Sequence, residues 1–366
     1  MDLKQKISAI EPVNPQVYAA CAARWDNIAK PLGSLGKLET MICRAAAASG
    51  TTRVDLSQKT VLVFCADNGV LAQGVAQSTS DVTTAIARSM VAHTTSVCTM
   101  AKAAGAQVLP VDMGMVEPVE GMLDCRLAAG TNDLSQGPVM TREQAEQAIC
   151  TGIRLAEEQA RKGCRLLATG EAGIGNTTTS SAVASVLLNL PVEQVTGRGS
   201  GLTNDGLQRK IDAIKRGIAV NQPDRNDPVD VLAKVGGFDI AGMCGAFLGG
   251  ALCHTPVIMD GFISTVAALC AVRLCPAVLD YILPSHVTAE PAGKALMQEL
   301  GFDPMIHGDL RQGQIQQRHQ SHSAGALSQA QIAVDHGIEA QFLHQSLACR
   351  LRRHMGGQNV VQHRRT

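Results

Sequence analysis

Aromatic side chains are scarce: the 366 residues include one Trp, two Tyr and six Phe. So few flat rings leave little on which to stack nucleic-acid bases. Net charge is missing as well. The 32 Lys and Arg are balanced by 32 Asp and Glu, so no field of one sign draws the chain to nucleic acid or to an anionic membrane. No apolar run approaches the roughly 20 residues that span a bilayer. The opening MDLKQKISAIEPVNP has no apolar signal core, and a cytoplasmic location is expected. Twelve Cys are present, yet no two are spaced Cys-x-x-Cys. Most lie in apolar runs, such as Cys65 in VLVFCAD, Cys164 before RLLATG and Cys253 in LGGALCH. They read first as small buried hydrophobes in a reducing compartment, ahead of zinc ligands or disulfides.

What is present is apolar bulk, 45% of the residues against 17% charged, which suits a globular protein with a sizeable core. Short β-branched or apolar runs alternate with helical patterns. The runs 60–66, 107–113, 164–170, 256–261 and 280–286 read as buried strands. The stretch TREQAEQAICTGIRLAEEQARKG, 141–163, reads as a helix with Thr141 as cap, Glu143 in the first turn and Gly163 closing it. Such alternation predicts an α/β fold with a parallel sheet covered by helices on both faces. Ligands of these sheets bind beyond the carboxyl ends of the strands. The polar strand ends therefore matter: Asp67, Asp112, Glu171, Asp260 and the pair Ser285–His286. Residues 1–55 are helical without a strand, 56–305 form the α/β part, and 306–366 form a divergent C-terminal part, strandless over roughly its last 55 residues and rich in His and Gln from Gln312 onward. The two ends are expected to pack together as a small helical domain. No internal repeat is visible.

Three glycine-rich turns stand out. In GEAGIGNTT, the glycines follow a strand and open a helix. Backbone N–H groups there, with Asn176, Thr177 and Thr178, form an anion site that needs no metal, although a plain capped turn reads the same way. The turn lacks the Lys of a Walker loop, and its G-x-x-G-x-G order is not the dinucleotide fingerprint. GRGSGLTNDGLQRK, 197–210, is a second turn into a helix, with Ser200 in the loop and Lys210 as a point charge. AKPLGSLGKLE, 29–39, reads as a helix-entry turn. Asp239, near the start of a glycine-rich helix, is either a cap or a ligand contact. His254 and His286 stand apart from Cys and acidic clusters, and no metal or cofactor is expected. The carboxylate Glu171 inside the first turn is a poor neighbour for a phosphate and calls for another role.

Taken in order, KPLGSLGKLE, FCADNGV, GEAGIGNTT, DVLAKVGGFDIAGM, DGFISTVAAL and LPSHVTAEPAG resemble the nicotinate-nucleotide–dimethylbenzimidazole phosphoribosyltransferase family, over residues 24 to 311. The resemblance implies a Rossmann-like sheet, a small helical domain from the chain ends and a homodimer. It implies small-molecule partners, nicotinate mononucleotide and a benzimidazole, and no nucleic acid. It implies Glu171 as an active-site carboxylate and Ser78 in the benzimidazole pocket. Gly173, Gly175, Asn176, Thr177 and Thr178 are implied as phosphate contacts. Ser200, Lys210, Asp239 and Asp260 are further candidates around the nucleotide. The family's general base is a Glu in an Arg-Leu-Gly-Glu-Gly-Ser-Gly-Ala segment. Here the chain reads LRQGQIQQRH, and the base position falls on Gln314. An amide cannot accept and hold a proton at neutral pH, so a catalytically impaired homologue is the alternative expectation.

Overall fold

The computed structural model describes residues 2–303 and 306–308. Among the described residues eight strands are formed: β1 (Lys59–Ala66), β2 (Ala106–Gly114), β3 (Leu123–Asp124), β4 (Leu166–Ala172), β5 (Val257–Met259), β6 (Ile282–Pro284), β7 (His286–Thr288) and β8 (Ile306–Gly308). Six of them make one sheet in the order β3-β2-β1-β4-β5-β6, with every pairing parallel. The last two pair separately, His286 in register with Ile306.

Residues along β1 alternate between two cores, because successive side chains of a strand point to opposite faces. Leu62, Phe64 and Ala66 join the larger core, whereas Val61, Val63 and Cys65 join the smaller one. The smaller core is covered by helices Asp81–Val91 and Ser96–Ala103. The larger one lies under helices Phe238–Leu252 and Phe262–Leu274. Behind these runs Arg142–Arg161, capped by Thr141, whose hydroxyl accepts from the Gln144 amide. The expected cap is therefore observed. It is reciprocal, since the Thr141 amide donates to Gln144 Oε1 at 2.9 Å.

Helices Arg142–Arg161 and Phe238–Leu252 cross at glycines. A methyl on Gly152 would collide with the Gly242 carbonyl oxygen, and one on Gly245 with the Ile149 carbonyl oxygen. The two backbones therefore touch, and any larger residue would push them apart.

The N-terminal helices Leu3–Ser8, Pro15–Asp26 and Lys37–Ala48 carry no strand. The second and third pack around Cys21, Ile42, Cys43 and Ala46. The loop before the third, AKPLGSLGKLE, is the helix-entry turn expected of it, with Gly33 and Gly36 at φ +64° and +57°. Lys30 and Glu39 close it by a buried ion pair at 2.7 Å. The C-terminal half of the expected small domain, Gln314 included, lies outside the described residues.

Candidate active site

The sheet order reverses between β1 and β4. Chain leaving β1 passes to β2 on one side, and β4 opens the other half. Parallel sheets leave a crevice at such a point, above the carboxyl ends of the strands. Asp67 and Asn68 follow β1, and Glu171 sits near the end of β4. Gly173 lies where Ala66, Asn68 and Asp239 converge. A methyl there would strike the Ala66 carbonyl oxygen and stand 3.2 Å from Asn68 Nδ2 and 3.3 Å from Asp239 Oδ2.

The expected turn after β4 is formed. Gly175 adopts φ +99° and the helix Asn176–Leu188 begins directly after it. The Asn176 amide donates to the Gly173 carbonyl at 3.1 Å, and the Thr178 amide to the Gly175 carbonyl at 2.9 Å. The turn thus consumes two of its own backbone donors. The side chains add others. Lys210 is buried and reaches into the turn, its Nζ donating to Thr177 Oγ1 at 2.8 Å and to the Gly197 carbonyl at 3.2 Å. Burial lowers the Lys210 ammonium to about 8, and Glu290 pulls it back up. The Thr178 hydroxyl is buried and has no hydrogen-bond partner among the described residues.

Glu171 does not face this cation. Its Oε2 accepts from Asn176 Nδ2 at 2.6 Å. Burial pushes its carboxyl up to about 7, Asp239 and Asp260 add to the rise, and the Asn176 hydrogen bond opposes it. Asp239 is fully buried, accepts from the Ile240 amide at 3.0 Å, and is pushed up to about 6, chiefly by burial. Asp67 and Asp112 are likewise raised by burial. Asp67 accepts from the Val116 amide at 2.8 Å, and Asp112 from the Gly114 and Met115 amides at 3.0 and 2.8 Å.

Two cavities flank this edge. One, about 620 Å³, lies under helices Asp81–Val91 and Ser96–Ala103. Its walls are mainly apolar, with Val63, Ile86, Met90, Ala168 and Ile258, and its carboxylates are Glu171 and Asp260. The other, about 460 Å³, is lined by Asp67, Asn68, Gly130 and the segment Ala76–Ser80. Ser78 is therefore on the wall of the second cavity, whereas Glu171 lines the first. Ser200 is exposed in the second glycine turn, which is tied to the Ser78 segment by Gln77 Nε2 donating to the Gly201 carbonyl at 2.6 Å. Asp260 directly follows β5, its amide donating to Ser264 Oγ at 3.1 Å.

The structure thus joins Glu171, Asn176, Asp239 and Asp260 into one acidic group, and Thr177 and Lys210 into one cationic group. Asn68 escaped the sequence reading. Both of its side-chain amide atoms are buried without a partner among the described residues. The available signal was an amide directly after an acid at the end of a buried strand. Among the described residues, no group of three or more His, Cys, Asp or Glu is arranged to hold a metal ion.

A phosphoribosyltransferase family model matches residues 10–316. The nicotinate-nucleotide–dimethylbenzimidazole phosphoribosyltransferase of Acetivibrio thermocellus is 46% identical over 314 residues, 85% of this chain and 90% of that protein. The enzyme of the same name from Escherichia coli strain SMS-3-5 is 39% identical over 315 residues, 85% of this chain and 88% of that protein. The crystal structure of CobT from Thermus thermophilus superposes with a TM-score of 0.79 at 34% identity, covering 90% of this chain and 96% of that one. The chain belongs to the nicotinate-nucleotide–dimethylbenzimidazole phosphoribosyltransferase family.

Proposed function

We propose that this chain transfers the phosphoribosyl group of nicotinate mononucleotide to 5,6-dimethylbenzimidazole, giving α-ribazole 5′-phosphate and nicotinate. The observation that carries this reading is the division of the site. A half-buried carboxylate, Glu171, opens on a large apolar cavity, while the turn that follows it is served by a buried ammonium, Lys210. An aromatic base suits the first surface and a phosphate the second.

The chemistry asks for little more. A benzimidazole nitrogen attacks the ribose C1′, and the bond from C1′ to the pyridinium nitrogen breaks. Its electron pair returns to the ring, so nicotinate leaves without a general acid. The ring N–H of the benzimidazole must lose one proton, and positive charge develops on the ribose. Carboxylates near both centres favour the transition state. Glu171, Asp239 and Asp260 supply them. Thr177, Thr178, Gly173, Gly175, Asn176 and Lys210 are assigned to the phosphate side, with Ser200 at its exposed rim and Ser78 on the wall of the adjoining cavity. A cytoplasmic homodimer is the proposed form of the enzyme.

A second reading has its own support: a homologue that binds the nucleotide but turns over slowly, because Gln314 stands where the resemblance implies a Glu. Incubation with both substrates, following nicotinate by chromatography and α-ribazole phosphate by mass, separates the two. Release of nicotinate dependent on the benzimidazole supports transfer. Nucleotide binding without release supports the second reading.

A further inference from the structure

Lys210 carries a positive charge into a place almost without water. It rises from helix Asn204–Asn221 and is 1% exposed. Two neutral oxygens receive its ammonium, Thr177 Oγ1 and the Gly197 carbonyl. The second glycine turn folds over it: a methyl on Gly199 would stand 3.1 Å from Thr177 Oγ1 and 3.7 Å from Lys210 Nζ. A buried ammonium needs an anion within reach. Helix Asn176–Leu188 has no charged side chain to offer. Arg198, in the turn, is a cation, engaged with the Leu202 carbonyl and with Asn204. Glu193 is paired with Lys215. Among the described residues, the carboxylate that acts on the Lys210 charge is Glu290, between β7 and helix Gly293–Glu299. Its Oε2 lies against Gly197, where an added methyl would fall 1.8 Å from it. The backbone of Glu290 is fixed, its amide donating to Thr288 Oγ1 at 3.3 Å and its carbonyl accepting from the Gly293 amide at 2.8 Å. The side chain is not. It is half-buried, and among the described residues no hydrogen bond or close ion pair holds its carboxylate.

We infer that Glu290 is the resident counter-anion of Lys210, and that the phosphate of the incoming nucleotide takes its place. The inference rests on the assignment of the phosphate to this turn and adds what balances the charge when the site is empty. No covalent bond is made or broken. The carboxylate swings out about its side-chain torsions while its backbone stays anchored. A phosphate ester carries up to two negative charges and three acceptor oxygens, so it is the better partner for an ammonium with hydroxyls around it. The exchange keeps the buried charge compensated throughout, which avoids the large cost of an unpaired ion. It also sets a threshold. An anion with no more charge than one carboxylate gains nothing by displacing Glu290, whereas a phosphate dianion does. Glu290 is thereby a specificity-determining residue of the nucleotide site.

The test uses the full chain, with inorganic phosphate and nicotinate mononucleotide as probes, in calorimetric titrations at about pH 6.5 and about pH 8.5. Glu290→Gln should tighten both probes by about fivefold at the lower pH, the size of a partly exposed charge pair. At the higher pH that gain should vanish. The Lys210 ammonium, lowered to about 8 with Glu290 beside it, gives up its proton at lower pH once the carboxylate that raises it is gone. Carbon NMR of labelled Lys reads this midpoint, which should fall in the variant. Glu290→Ala, which leaves space in place of an amide, should behave alike. Weaker binding by both variants at the lower pH would make Glu290 a contact of the nucleotide and overturn the inference. Unchanged affinities with an unmoved Lys210 midpoint would overturn it too. If phosphate and nucleotide bind as expected but no nicotinate is released with the benzimidazole, the transfer reading fails and the counter-anion stands. If neither probe binds the wild type or the variants, the counter-anion fails.

Discussion

Asn176 holds Glu171: the amide Nδ2 donates to the carboxylate Oε2 across 2.6 Å, from the first residue of a helix back to the strand before it. This bond answers why a carboxylate sits within a phosphate-type turn. The turn faces one way with Thr177 and Lys210, and Asn176 turns the carboxylate the other way, to the apolar cavity.

Because that bond opposes the rise of the Glu171 carboxyl, Asn176→Ala should push it above its present value of about 7. The rising, acid-side limb of turnover should move to higher pH. Titration of activity, or carbon NMR of labelled Glu, reads the shift. A limb that stays in place or moves down would contradict the role given to Asn176.

A raised carboxyl also has a stability signature. Glu171 binds its proton more tightly folded, near 7, than its ordinary value of 4.5, so the folded state carries the extra proton in that window. Stability should fall as pH rises from about 4.5 to about 7. Glu171→Gln should remove this slope and stabilise the protein at pH 8 by about 2 kcal/mol, less than the full shift implies because one side of the group is wet. The same variant should lose transfer while keeping the nucleotide bound. Urea denaturation at several pH values, with calorimetric nucleotide titration, checks both.

On the phosphate side, Thr177→Ala with Thr178→Ala should weaken nicotinate mononucleotide, each donor to a charged phosphate being worth about 1.5–3 kcal/mol. Calorimetry with and without magnesium should give the same wild-type affinity. Unchanged affinity in the double variant, or an absolute need for the metal, would remove the assignment.

Gly173→Ala needs no ligand to test. The added methyl meets the Ala66 carbonyl oxygen, so the strand end or the turn must move. A loss of about 1–3 kcal/mol in stability is expected, with loss of nucleotide binding. A fully stable, fully binding variant would show that β1 and the turn are not packed as described.

Gln314→Glu alone should recover little activity, because Ile315–Arg318 replace the Gly-Ser-Gly-Ala that the resemblance implies would aim the side chain. Exchange of the whole segment from Gln312 for a family-like one should raise nicotinate release by about 10²–10⁴-fold if a positioned base is restored. Robust turnover by the unmodified chain, with no gain on exchange, would return the role of base to the groups of the apolar cavity.

The central strands were legible because burial on both faces makes them nearly continuous apolar runs. VLVFCA and CRLLATG need no tertiary information to be read, and the polar residues that follow them, Asp67 and Glu171, mark the edge above the sheet. The two-residue β3 was not legible, since Leu123–Asp124 has no pattern of its own and pairs only because β2 offers an edge. The break at Ser285 was also hidden, and DYILPSH reads as one strand although β6 and β7 belong to different sheets. The apolar cavity was illegible for another reason. Ile86, Ser89 and Met90 become its wall only through the position of a helix over the sheet, which no local spacing records.

The glycine crossing between helices Arg142–Arg161 and Phe238–Leu252 divides the freedom of the molecule unequally. Behind the sheet, two backbones touch, and a single added carbon has nowhere to go. In front, the helices over the cavity meet the sheet through side chains of differing size, with open space between. Change in the accepted base therefore has one direction in which to proceed. A lineage drifting toward a bulkier or smaller ring can rewrite less buried wall positions such as Ile86 and Ser89 at lower cost, while the rear of the protein stays the template that keeps the strand ends in place.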